Sequence, residues 1–316
     1  MNNQILFAVQ RARVLLVNER FGLLGRKDAE RLLLPSIRMH AGSALADSAI
    51  HLGASKLGGL PDLPPGMDWP QVEVPKTTRA EQEKLRRYFQ SAALLDSLGD
   101  ERALPFLCQV SLAELAPWDL QRALPGKGLL LFFYDAGLDM VLNTLGDNPL
   151  EQRDFRAWRV LYVEDGLQVQ RAAPPEGLGP QQRFAPCPVS FRLEWMLPPH
   201  ESPLLDRSLD VWRYLDLLEA IARMQPEAHD PKGSLHRLLG YEQPIQADVS
   251  YYLSAVSREP GASELDPKGW RLVLQLDSDE DVGMKWFDAG SVYFCLQQTD
   301  LEERRFDAAR GVVQFH

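Results

Sequence analysis

Residues 277–288 read Asp-Ser-Asp-Glu-Asp-Val-Gly-Met-Lys-Trp-Phe-Asp, with carboxylates at loop positions 1, 3, 5 and 12. Calcium favours oxygen-rich loops of this spacing. Two positions depart from the pattern. Val282 stands where a turn glycine is needed, and Lys285 occupies the ninth position. The flanking segments read as strands, not helices. A solvated acidic turn is expected, with weak calcium binding as the alternative. The six histidines (His40, His51, His200, His229, His236, His316) include no pair three or four residues apart, so no metal cluster is signalled. His236 opens a Leu-rich turn and is expected to bond loop backbone. There is no nucleophile elbow, no Walker A loop and no dinucleotide fingerprint. Acidic residues are too widespread for their spacing to single out a catalytic pair. No CxxC occurs, and Cys108 and Cys295 sit inside apolar runs, so buried, reduced thiols are expected.

The elements that must position these residues follow from periodicity. Residues 3–20 read as a helix, with Ile5, Val9, Ala12 and Leu16 as its apolar stripe, widened by Leu6 and Leu15. Packing of that stripe on the core is expected, with a membrane-surface helix as the alternative. A second helix is expected over 27–34, stopping before Pro35. Residues 53–70 hold four prolines and four glycines, which exclude helix and central strand. Leu57, Leu60, Leu63 and Trp69 are expected to pin this loop. A polar amphipathic helix follows over 79–98. Ser111-Leu-Ala-Glu opens a short helix with a capping-box pattern. Strands are expected at 105–110, 128–134, 158–163, 270–276 and 291–297, and a helix at 210–224. The seven tryptophans are scattered. Most belong in a core, leaving one or two to anchor a partner.

The chain has 316 residues, long enough to bury a sizeable core. It carries 34 Lys+Arg and 44 Asp+Glu, a formal charge of −10. That balance repels phosphate backbones and argues against nucleic acid as a partner. The N-terminus lacks a basic region before its apolar residues, and no apolar run approaches the ~20 residues of a membrane span. A cytoplasmic protein without a membrane contact is expected.

The two halves share an order. Lys56-Leu-Gly-Gly-Leu-Pro precedes a strand broken by Gln109, then a strand opened by Gly128. Arg237-Leu-Leu-Gly-Tyr-Glu-Gln-Pro precedes a strand broken by Gln275, then a strand opened by Gly290. A weak internal duplication is the economical reading, and chance similarity of apolar strands is the other.

These same pieces resemble the YwqG-like family, a bacterial family of unknown function. The matching stretches are Ser55–Gly66 with Trp69-Pro70, Leu104–Leu115, Leu124–Tyr134, His236–Gln246, and Leu274–Asp279 with Trp286 and Asp288-Ala-Gly. They run in family order over residues 50–316. The resemblance implies an α+β fold with a duplicated β-rich core and no established reaction. Some members are similar to immunity proteins that neutralise toxins delivered between bacteria, including nuclease toxins of type VI secretion. The polar helix at 79–98 departs from the family pattern.

Together these readings give an α+β fold: two related halves, about 51–170 and 189–316, with peripheral helices and an N-terminal helical segment, 1–50, packed on the core. The expected function is binding, not catalysis, with no cofactor and no metal. The chain is read as an immunity protein whose partner is a cognate toxin, a basic nuclease domain. The alternative is an orphan enzyme or small-ligand protein with a site between the halves. The partner is expected on the polar helix, at Glu81, Glu83, Arg86, Arg87 and Tyr88, or on the acidic turn, at Asp277, Asp279, Glu280 and Asp281. The polar helix departs from the family pattern, where specificity between related proteins requires difference, and the acidic turn offers its carboxylates to a basic cleft.

Overall fold

Leu129–Tyr134 is apolar at all six positions, which suits a strand covered on both faces. It forms one of the inner strands of a large antiparallel sheet. The computed structural model describes residues 3–74, 76–88, 101–145, 153–230, 233–257 and 265–316. Among these, the helices are α1 (Asn3–Phe21), α2 (Arg26–Leu32), α3 (Arg79–Tyr88), α4 (Leu112–Leu115), α5 (Ala136–Leu145), α6 (Val211–Arg223), α7 (Val249–Val256) and α8 (Gln298–Glu302). The sheet is built from β1 (Leu34–Ala41), β2 (Lys56–Leu57), β6 (Phe106–Ser111), β7 (Leu129–Tyr134), β8 (Trp158–Val163), β10 (Cys187–Met196), β11 (Arg237–Leu238), β12 (Trp270–Asp277), β13 (Ser291–Gln297) and β14 (Arg310–Gln314). Two short ribbons stand apart: β3 (Asp62–Leu63) with β9 (Gln170–Arg171), and β4 (Gln71–Glu73) with β5 (Glu101–Ala103). The α+β class expected from the sequence is what is found.

The strand order is β14-β13-β12-β11-β1-β10-β2-β6-β7-β8. At its centre β1 and β10 pair antiparallel over eight positions, from Leu34↔Met196 to Ala41↔Val189. Outward from that pair, the strands on both sides follow chain order. The partners are crossed: β1 pairs with β11, and β10 with β2. Gln109 and Gln275 stand at matching places, opposite Lys56 and Arg237 respectively. Each glutamine Oε1 accepts a backbone N–H from the turn after the short strand, Asp62 in one case and Gln243 in the other.

The sheet curls until its edge strands meet. Phe132 of β7 lies edge-on to Phe294 of β13, with centroids 5.2 Å apart. Trp158 of β8 lies edge-on to the same Phe294 at 5.0 Å. Apolar side chains from nearly every strand fill the enclosed core. A second, smaller core joins α1, α2 and α6 to β10 through Phe7, Val14, Leu32, Trp195, Tyr214 and Ile221.

Several expected elements appear with small shifts. Helix α6 is capped by Asp210, whose side chain accepts from Arg213 N. The expected 27–34 helix ends at Leu32, and β1 begins at Leu34. The expected 79–98 helix is seen as α3, and residues 89–98 lie outside those described. The 53–70 stretch is packed: Leu57, Leu63 and Trp69 are buried, and Trp69 Nε1 donates to Leu104 O at 2.8 Å. Against the expectation of no central strand, its Lys56–Leu57 forms β2 between β10 and β6, kept to two residues by Gly58 and Gly59 at positive φ. At Ser111 the capping box does not form. Glu114 instead accepts Ser55 N, and no side-chain cap bond is made by Ser111. All three cysteines are free and buried.

The stripe on α1 is the clearest difference. The buried face is Phe7, Gln10, Val14, Val17 and Asn18. Ile5, Val9 and Leu16 are 58%, 43% and 55% exposed, and Ala12 is exposed with them. Both faces of this helix are apolar, so period alone could not say which one meets the core.

Closure depends on a missing side chain. A methyl on Gly311 would lie 1.9 Å from Cδ2 of Trp158. The indole has no room to yield, because it stacks on Tyr134 at 3.7 Å and its Nε1 donates to buried Asp139. Gly311→Ala is expected to destabilise the fold by about 1–3 kcal/mol through overpacking. Urea unfolding checks this, and an unchanged midpoint would contradict the closure.

Candidate functional site

The expected acidic turn is mostly turned inward. Asp279 is buried, and its Oδ1 accepts the N–H groups of Asp281 and Val282. Its Oδ2 faces His236 Nε2 at 3.1 Å. His236 Nδ1 accepts Asp277 N at 3.1 Å, so the ring proton sits on Nε2 and points at Asp279. Asp277 is likewise engaged: its Oδ2 accepts Leu235 N and its Oδ1 accepts Ser291 Oγ. Both carboxylates organise their own loop. Glu280 and Asp281 are the exposed acids of the turn. Among the described residues no group of His, Cys, Asp and Glu could hold a metal ion.

On α3, Glu81 closes a capping box with Thr78. Its Oε2 accepts both Thr78 N and Thr78 Oγ at 2.7 Å, and Glu81 N donates to Thr78 Oγ at 3.3 Å. Leu85 is buried, while Glu83 and Arg86 are exposed. Arg87 and Tyr88 belong to the helix, and their side chains lie outside the described residues. The two expected surfaces rest on different supports: α3 against α5 through Lys84 Nζ and Thr144 O, and the turn against Ala185 and His236.

Behind these surfaces sit two buried polar clasps. Lys56 is fully buried. Its ammonium meets Asp47 Oδ1 at 2.9 Å and Leu60 O at 2.5 Å. Arg171 bonds the same Asp47 and reaches Asp62 Oδ1 at 2.6 Å. Two cations thus face two carboxylates, and the set fastens residues 47–63 to β9. Burial pulls the Lys56 ammonium below its ordinary range, and its hydrogen bond to Asp47 opposes that. In the other half, Arg38 and Arg237 both approach Glu194, at 3.8 and 3.5 Å. Burial first, then repulsion by Arg237, brings Arg38 down to about 10.

Sequence reasoning missed a third feature, a cleft of about 770 Å³. It lies between the 121–125 loop and segments of the second half: 199–204, 239–250, 267–272 and 298–304. Arg31, Arg122, Lys268, Arg271 and Arg304 line it, with Leu32 and Leu34 beside Arg31, and buried Glu242 and Asp248 contribute to its wall. Arg122, Leu239 and Arg304 hold φ of 53°, 58° and 59°, in the left-handed region that side chains disfavour. No motif marks the cleft, because Arg122, Lys268, Arg271 and Arg304 come from three separate segments.

The fourth feature is apolar. Trp212, the second residue of α6, is 79% exposed. Arg213 Nη2 donates to Phe21 O at 2.9 Å, which ties the start of α6 to the end of α1. The sequence offered Trp212 only as one of seven scattered tryptophans.

Hydrogen bonding from His236 holds the Asp279 carboxyl below the usual carboxylate range. A depressed carboxylate stabilises the fold above its unfolded value, near pH 3.9, and that contribution is lost as pH falls through the folded value. Asp279→Asn should therefore cost about 1–3 kcal/mol at neutral pH. The gap from the wild type should narrow below about pH 4. Equal cost at pH 7 and pH 3 in urea titrations would contradict this role.

Among the described residues no helix is long and apolar enough to cross a membrane. No curated protein gives a significant match. Residues 55–314 match the model of a family described as a domain of unknown function, DUF1963, and the chain belongs to that family.

Proposed function

We propose that this chain works by binding another protein, and that the partner is a cognate antibacterial toxin which it neutralises as an immunity protein. The observation that carries the binding reading is apolar side chains left uncovered: Ile5, Val9 and Leu16 on one face of α1, and Trp212 at the start of α6. Exposed tryptophan is the residue type most enriched in interface hot spots. Apolar surface left uncovered on one helix face marks a candidate site of association. Helix α1 also lies outside residues 55–314, the stretch matched by the family.

The toxin part of the reading is supported by the resemblance to YwqG-like immunity proteins and by the charge of −10. A nuclease needs a basic cleft for phosphates. An acidic protein is drawn to such a cleft by long-range attraction. Glu280 and Asp281 on the turn, and Glu83 on α3, provide exposed acids for that encounter. The mechanism is occlusion, with α1 and Trp212 as the desolvated centre and the acids as its rim. No reaction is required of this chain. The partner is a protein, with no nucleic acid bound directly and no membrane contact, and the binding takes place in the cytoplasm.

Deleting the gene should be lethal only while a neighbouring toxin gene is intact. With the purified toxin, Trp212→Ala and Val9→Glu should each weaken affinity at least about tenfold, or 1.4 kcal/mol. Neither should change the melting temperature, since both side chains are exposed. Charge reversal at Glu280 and Asp281 should slow association chiefly at low salt. Full affinity in both α1-face variants would contradict the proposed centre. Survival of the deletion strain beside an active toxin would contradict the immunity role.

A further inference from the structure

We propose that the cleft between the 121–125 loop and the second half binds a small phosphate-bearing anion, of nucleotide size or smaller. Its volume, about 770 Å³, falls within the range of small-molecule sites. Its charge is opposite to that of the whole molecule. Arg122, Lys268 and Arg304 reach it from three separate segments, and their side chains make no hydrogen bond or ion pair among the described residues. Arg271 is braced beside Lys268, its Nη1 donating to Lys268 O at 2.7 Å. Free cations converging on one concave space suit a head group with several anionic oxygens.

Three acids share the lining with these cations: Glu242, Asp248 and Glu302. Glu242 is buried in the wall, and Ser250 Oγ donates to its Oε1 at 3.0 Å. Burial, with repulsion from Asp248 added, pushes the Glu242 carboxyl up, towards its neutral form. Asp248 is raised by burial as well, and its Oδ1 is occupied by Tyr251 N at 2.6 Å. Glu302, the exposed acid of the rim, accepts from Gln298 Nε2. Leu204, Leu239 and Leu272 supply apolar wall for the body of the ligand.

Two of the cleft's cations sit on strained backbone. Arg122 and Arg304 keep φ above 50°, a conformation of order 1 kcal/mol or more less favourable for such side chains. Glycine would relieve it, yet arginine stands at both positions. A ligand that both guanidinium groups grip gives a reason for that choice.

The test is calorimetry and thermal melting of the full chain with inorganic pyrophosphate, ATP and citrate. Pyrophosphate or ATP should bind and raise the melting temperature. The Arg122→Ala/Lys268→Ala/Arg304→Ala variant should melt like the wild type without ligand and bind at least tenfold more weakly. A control, Arg13→Ala/Arg20→Ala, removes exposed cations elsewhere and should bind normally. Equal loss in that control would reduce the effect to diffuse charge and overturn the site. So would binding of citrate alone, or no binding of either phosphate probe at millimolar concentration.

Discussion

Eight residues of β1 lie against eight of β10, and the rest of the fold is hung on that pair. On their outer sides β1 pairs with β11 and β10 with β2. The pair thus joins β11–β14 on one side to β2 and β6–β8 on the other in one sheet. Buried polar residues cluster on both sides of the pair. Arg38, Arg237 and Glu194 meet where the second half receives β1, and Lys56, Asp47, Asp62 and Arg171 fasten the loop that receives β10. Buried ion sets of this kind stabilise little, but breaking one is costly. They act here as fasteners of loops that carry few other contacts.

The outer strands follow from their composition, and the centre does not. The strands at 106–111, 129–134, 158–163, 270–277 and 291–297 lie within a residue or two of where apolar runs put them. Both central strands escaped notice. Each has a proline at its second position, Pro35 and Pro188, and each carries charge, Arg38 in β1 and Arg192 and Glu194 in β10. Prolines and charges read as loop when partners are unknown. In the structure the charges answer one another across the sheet. The stripe on α1 was legible as a stripe, but not its direction, because Phe7, Val14 and Val17 make an equally apolar opposite face.

Little of the candidate site was legible in the sequence. The absence of a catalytic motif, the acidic balance and the family resemblance pointed to binding without placing it. The acidic turn looked free because spacing cannot show that Asp277 and Asp279 spend their oxygens on Leu235, Ser291 and their own loop. Trp212 looked like any tryptophan until burial separated it from Trp69, Trp158, Trp195, Trp270 and Trp286, all buried. The cleft had no sequence signature, since Arg122 and Lys268 are 146 positions apart, from 268 − 122.

The two surfaces divide the molecule by chemistry. The α1 face and Trp212 are apolar and uncovered, which suits a protein partner. The cleft is concave and basic, which suits a small anion. Oxidative footprinting of side chains, with the proposed toxin partner present and absent, separates them directly. Protection of Trp212, Leu16 and Ile5 on complex formation, with Arg122 and Trp270 of the cleft unaffected, is the expected result. Unchanged labelling of Trp212 in a saturated complex would contradict the placement of the partner on this face.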